Sequence, residues 1–269
     1  MTELRGRWIE RPWGRMRVWG SGDRGPTVLA IHGLGGSGRY WQGLADGLSG
    51  VRLVAPDLTG FGASDKPRSP SYDRAFHLGN LDAAVAPEGP VAVVGHSIGG
   101  TLAALWAANH AERARAVALA AAPFPSADGG HGWLREGRPP RGMRLAARGM
   151  RLLVPVLSLP VGLMRGYPAS IARDYGRQRF LARSRTMWWV LHDPEIVDEL
   201  DRARRALAGT PILLAHADDD RTVLADALAR WHEILPHADR VDVPAGGHQF
   251  LLRSGFGPLV RWLDGTLRP

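Results

Sequence analysis

Three residues, far apart in the chain, have the types and settings needed to cut an acyl bond. Ser97 sits in Gly95-His96-Ser97-Ile98-Gly99-Gly100, between the apolar run Val91–Val94 and the helix-like stretch that opens at Thr101. A strand, G-x-S-x-G, helix order describes a sharp turn that exposes the serine hydroxyl at a helix N-terminus. Small neighbours are needed because strand and helix pass close together there. A hydroxyl is a weak nucleophile until a base takes its proton, and a carboxylate must hold that base in the right tautomer. Of the ten histidines, His248 is the candidate base. It follows the short apolar run Val241–Val243 in Ala245-Gly246-Gly247-His248, on a loop at the carboxyl end of a strand. The carboxylate is sought after Ile212–Ala215, where Asp218, Asp219 and Asp220 stand side by side. Asp220, nearest the following helix, is the candidate, with Asp218 as the alternative.

Attack on a carbonyl builds charge on its oxygen, so two inward-facing amides are also required. The Ile98 N–H, next after the serine, is one candidate. Leu34 N–H, in His32-Gly33-Leu34-Gly35-Gly36-Ser37 after the run Val28–Ile31, is the other. His32 and His96 lie beside these groups and are read as structural.

Positioning such residues takes a particular scaffold. Short apolar runs at Val28–Ile31, Val51–Ala55, Val91–Val94, Val117–Ala121, Ile212–Ala215 and Val241–Val243 have the length and content of buried parallel strands. Helical patterns alternate with them at about 38–48, 72–85, 98–110, 195–208, 222–235 and 249–266. Arg7–Glu10 and Met16–Trp19 flank a Pro-Trp-Gly turn and predict an edge hairpin. The alternation predicts an α/β fold, a mostly parallel twisted sheet with helices on both faces. Residues 124–190 break the rhythm. They contain no strand pattern and several prolines, which predicts short amphipathic helices between prolines. The expected organisation is a core domain of residues 1–123 and 191–269 with a helical cap at 124–190.

Composition narrows the classes. The chain has 269 residues, is 45% hydrophobic and has no cysteine, which excludes disulfides, thiolate metal sites and a thiol nucleophile. The formal charge of +8 is unevenly placed: residues 124–190 carry twelve arginines against Asp128, Glu136 and Asp174. No nucleic-acid motif accompanies that charge, so nucleic acid is not an expected partner. The N-terminal Met1–Arg5 lacks a signal-peptide pattern, and no run of about 18 apolar residues exists. A cytoplasmic protein without a membrane span is expected.

The motifs together resemble the α/β-hydrolase superfamily over nearly the whole chain. The points of likeness are His32-Gly33 and its glycines, Asp57–Ser64, the Gly95–Gly100 turn, the Asp220 loop and Gly247-His248. The resemblance implies a structural role for Asp57 and a cap after the sixth strand. Serine at 97 separates the chain from the haloalkane dehalogenase and epoxide hydrolase branches, which carry Asp there. The expected activity is hydrolysis of a carboxylic ester or thioester, with no cofactor or metal. The substrate is a small molecule, and the cap arginines admit an anionic or carrier-linked one. Trp133, Trp188 and Trp189 are candidate walls of an apolar pocket. Acyl transfer or cyclisation on the same triad is the alternative, and a non-catalytic binding protein the second.

Overall fold

The computed structural model describes residues 2–85, 89–126, 132–136 and 141–268; within these, the side chains of residues 132, 133, 143, 145–147, 150 and 151 are not described. The chain opens with the antiparallel hairpin β1 (Arg5–Arg11) and β2 (Gly14–Ser21), in which Ile9 faces Met16. β3 (Thr27–Ile31), α1 (Gln42–Gly47), β4 (Arg52–Pro56), α2 (Arg74–Ala84), β5 (Val91–His96), α3 (Ile98–Asn109) and β6 (Ala114–Ala120) then alternate. A helical segment follows: α4 (Gly132–Glu136), α5 (Arg144–Met164), α6 (Ala169–Gly176), α7 (Phe180–Met187), a wide turn at Trp188–His192 and α8 (Ile196–Ala206). β7 (Ile212–Ala217), α9 (Ala225–Ile234), β8 (Asp239–Val243), α10 (Phe250–Arg253) and α11 (Gly257–Leu267) complete it.

The eight strands form one sheet in the order β1-β2-β4-β3-β5-β6-β7-β8, parallel from β4 to β8. The central strands are buried on both faces, which is why their sequences are continuous apolar runs rather than alternating ones. Their side chains still divide with period two. Leu29, Ile31, Val91, Val93, Leu119 and Leu214 pack with α2, α3, α8 and α9. Val28, Ala30, Ala92, Val94, Ala118 and Leu213 pack with α1, α10 and α11 on the other face.

Two expectations need correction. Residues 144–164 are not short helices between prolines but a single helix, α5, running through Pro155 and Pro160. Each proline removes one backbone bond, and packing on α6 offsets the loss. Gly176 lies against Pro155 and Ser158, and a Cβ at Gly162 would fall 2.4 Å from Ala172 Cβ. The last expected helix is likewise two, α10 and α11, because Gly255 turns the chain with φ +91°. Among the described residues, no helix is long and apolar enough to cross a membrane.

Buried charge ties the helical segment to the rest of the fold at two places. Asp174 in α6 is fully buried and accepts hydrogen bonds from Ser37 Oγ (2.6 Å), Arg39 Nη2 (2.6 Å) and Arg177 Nη1 (3.2 Å). On the far side Arg74 of α2 reaches Asp193 (2.7 Å), Glu199 (2.7 Å) and the Trp189 carbonyl. A buried ion pair adds little over an apolar contact, but removing one partner strands the other. Asp174→Ala is expected to lower unfolding free energy by about 3 kcal/mol in urea titration; a loss under about 0.5 kcal/mol would show that Arg39 and Ser37 find other partners.

Candidate active site

β5 delivers the chain to Ser97 and α3 carries it away. The reversal forces Ser97 to φ +56°, ψ −133°, outside the regions open to most L-residues, at a cost of about 1–3 kcal/mol. The surrounding backbone leaves no room for side chains. A Cβ at Gly95 would fall 2.0 Å from Gly99 O, and one at Gly99 would fall 2.3 Å from Ile31 O. The strained turn leaves Ser97 half-buried with its hydroxyl facing the β8–α10 loop.

There the expected base is waiting. His248 Nε2 lies 2.9 Å from Ser97 Oγ, and its Nδ1 lies 2.8 Å from Asp220 Oδ2. The Asp220 side chain is fully buried. Its second oxygen, Oδ1, accepts from Thr222 N–H (2.7 Å) and Val223 N–H (3.0 Å), so the carboxylate is held from both sides. Burial pushes the Asp220 carboxyl up, but the hydrogen bonds from His248 and Val223 outweigh it and leave it below the usual carboxylate range. An ionised Asp220 accepts the His248 Nδ1–H, which leaves Nε2 free to accept from Ser97. Asp218, the alternative, is exposed. Asp219 has a different task, accepting from the Gly246 and Gly247 amides at 3.2 and 2.7 Å and so tying the β7 loop to the β8 loop.

The second loop presses on the serine from the other side. A Cβ at Gly33 would fall 2.9 Å from Ser97 Cβ, so the backbone that leads to Leu34 runs against Ser97. Ile98 is the first residue of α3, where helix N–H groups have no intrahelical acceptor. Among the described residues the Leu34 amide has no hydrogen-bond partner. His32 fixes the loop: Leu58 N–H donates to Nε2 (2.9 Å) and Nδ1–H donates to Gly33 O (2.7 Å). Asp57 accepts from Gly38, Ala63 and Trp19 and fastens the β4 turn beside it, the structural role expected of it.

Sequence reasoning missed the second support of His248. His96 Nε2–H donates to the His248 carbonyl at 2.7 Å. Its ring stacks on Tyr40 at 4.8 Å and lies 5.0 Å from the His248 ring. No spacing pattern announces a contact across 152 residues. Trp188 is buried and near His192, and Trp189 carries the Arg135 guanidinium over its ring at 5.3 Å. The Trp133 side chain lies outside the described residues. Among the described residues no cluster of three or more His, Asp or Glu side chains is placed to hold a metal ion.

Comparison with known proteins accords with this geometry. The model of the alpha/beta hydrolase fold matches residues 26–253. The chain belongs to the α/β-hydrolase family. This α/β-hydrolase is 25% identical to Lipase 3 of Moraxella sp. over 243 residues, 87% of this chain and 76% of that one. It is 38% identical to an uncharacterized protein of Mycobacterium tuberculosis over 96 residues, 35% of this chain and only 28% of that protein's length. A carboxylesterase structure from Nitrososphaera gargenis superposes with a TM-score of 0.75 at 16% identity, covering 97% of this chain and 98% of that one.

The site's buried imidazoles make stability depend on pH. Burial lowers His32 and His77 to about 4 and His96 to about 3. Between those values and about 6.5 the unfolded chain binds protons that the folded chain refuses, so stability falls as pH drops through that window. Asp57, pushed up to about 6 by burial, acts in the opposite sense above about 4 but is one group against three. The urea midpoint of this α/β-hydrolase is expected to be clearly lower at about pH 4.5 than at pH 7; equal midpoints would contradict three neutral buried imidazoles.

Proposed function

We propose that this protein is a serine hydrolase that cleaves a carboxylic ester or thioester through an acyl-enzyme on Ser97. The observation that carries the reading is the continuous relay from Asp220 through His248 to Ser97 Oγ, at 2.8 and 2.9 Å. Ser97 attacks the carbonyl carbon as its proton passes to His248 Nε2. The Leu34 and Ile98 amides receive the oxyanion, a stabilisation worth about 3–4 kcal/mol per donor in comparable sites. The tetrahedral centre collapses, the C–O or C–S bond breaks, and His248 returns the proton to the leaving alcohol or thiol. Water, deprotonated by the same imidazole, then attacks the acyl-Ser97 ester and releases the acid.

The segment 124–190 acts as a cap over this centre. Supporting that role, Tyr175 and Gln178 stand where a Cβ on Gly35 of the Leu34 loop would fall, at 2.6 and 2.9 Å. Trp188 and Trp189, with Trp133, are proposed to line the acyl side, and the cap arginines favour an anionic or carrier-linked substrate. The lipase and carboxylesterase relatives are in keeping with ester cleavage.

A panel of p-nitrophenyl esters and acyl-thioesters tests the proposal. Ser97→Ala is expected to lose at least about 10⁴-fold in kcat, and an activated phosphonate should label the wild type at Ser97 alone. Full turnover by Ser97→Ala would refute the mechanism. Asp220→Asn should leave KM within about threefold while lowering kcat about 10⁴-fold, because the amide favours the wrong tautomer of His248. Product analysis with added alcohols or amines separates hydrolysis from acyl transfer, which would show as an acylated nucleophile in place of the free acid.

A further inference from the structure

The outer side of α5 is apolar and open to solvent. Eleven large apolar side chains are exposed among the described residues, and seven of them belong to this one helix. Leu152, Val156, Leu163 and Met164 are exposed by 76, 69, 52 and 88%. Leu152, Val156 and Leu163, spaced four and seven apart, form one stripe along the helix, and Leu153, Leu157 and Met164 form the neighbouring one. The opposite side packs on α6 through Gly162 and Ser158. Large contiguous apolar surface of this kind is uncommon on a soluble monomer and marks a contact surface.

Charge says what the contact is. From residue 137 to residue 173 the sequence holds seven arginines and not one Asp or Glu. Arg144 and Arg148, on the first turns of α5, and Arg165, just past its end, are exposed and have no carboxylate partner among the described residues. The helix is 21 residues, about 30 Å long; Arg144 and Arg148 stand at its start, four residues apart and in line with Leu152 and Val156, so basic side chains border the aliphatic stripes. A protein partner covering the aliphatic stripes would require a matching apolar groove and acidic rim of its own. An anionic bilayer surface meets both demands at once: acyl chains accept Leu, Val and Met, and headgroups attract arginines within a Debye length of about 8–10 Å.

We propose that α5 lies in the plane of an anionic lipid surface, with its aliphatic stripes entering the headgroup–acyl boundary and its arginines held by the headgroups. Asp174 and its partners secure α6, and through it α5, to the segment between β3 and α1 that also carries Leu34, so docking at α5 brings the serine-bearing edge to the membrane. The contact is a docking function of the helix and operates without the chemistry at Ser97.

Vesicle cosedimentation tests it. The full chain is expected to bind vesicles containing about one-third phosphatidylglycerol in phosphatidylcholine, at least about tenfold more tightly than pure phosphatidylcholine, with the difference lost at about 0.5 M salt. Val156→Glu/Met164→Glu and Arg144→Glu/Arg148→Glu should each weaken binding about tenfold or more, with circular dichroism and thermal midpoint unchanged. Val156→Glu/Met164→Glu should hydrolyse a soluble short-chain ester at the wild-type rate. Ser97→Ala should bind vesicles as the wild type does, so failure of docking and failure of the hydrolase reading give different results. Absence of binding, equal binding to neutral vesicles, or binding unaffected by both double variants would overturn the proposal. So would a concentration-dependent dimer that Val156→Glu/Met164→Glu converts to monomer, since a second copy would then cover the face.

Discussion

The backbone at Ser97 is bent into a conformation that side chains resist, and the rest of the site exists to hold it there. A positive φ on a non-glycine residue persists only where its surroundings over-determine it. Here the constraints are the strand before it, the helix after it, the Ser97 N–H donating to Ala120 O at 2.8 Å, and glycines packed to within contact of neighbouring carbonyls. The strain has a use. It sets Ser97 directly before the first amide of α3, so candidate nucleophile and candidate oxyanion donor come from a single turn.

Around that turn, each polar group is held from a second direction. Asp220 takes two backbone amides on one oxygen and His248 on the other. His248 is fixed by Asp220 at Nδ1 and, through its own carbonyl, by His96. His32 clamps the opposite loop between Gly33 and Leu58. Fixing donors and acceptors before substrate arrives avoids reorganisation during reaction, which is where polar preorganisation has its value. Two of these histidines stay neutral because burial penalises their charge.

The helical segment between β6 and β7 is fastened differently from the core. Apolar packing dominates between sheet and helices and includes Val190 and Ile196, whereas α6 and the 188–199 stretch are in addition pinned by Asp174 and Arg74 with several partners each. Ion pairs specify geometry more than they add stability. That suits α5, whose aliphatic side chains turn outward, since it lacks the buried area that anchors α3.

Local order made the core legible. Apolar runs of strand length, helical spacing between them and the glycines around Ser97 are short-range properties, so the α/β class, the strand–turn–helix at Ser97 and the loop positions of Leu34 and His248 could be read without coordinates. Position nearest the following helix pointed to Asp220, but the separate task of Asp219 could not be read that way. Their side chains are chemically identical, and only the curl of the loop decides which one meets the Thr222 and Val223 amides and which one caps Gly247. The passage of α5 through two prolines was hidden for the same reason. Local propensity predicts breaks there, and packing on α6 overrides it. The amino-acid order by itself determined which backbone shapes were available and which side chains had to be hidden. Tertiary structure alone decided which distant groups meet, because contacts such as His96 to the His248 carbonyl or Asp174 to Ser37 depend on distances that no local pattern encodes.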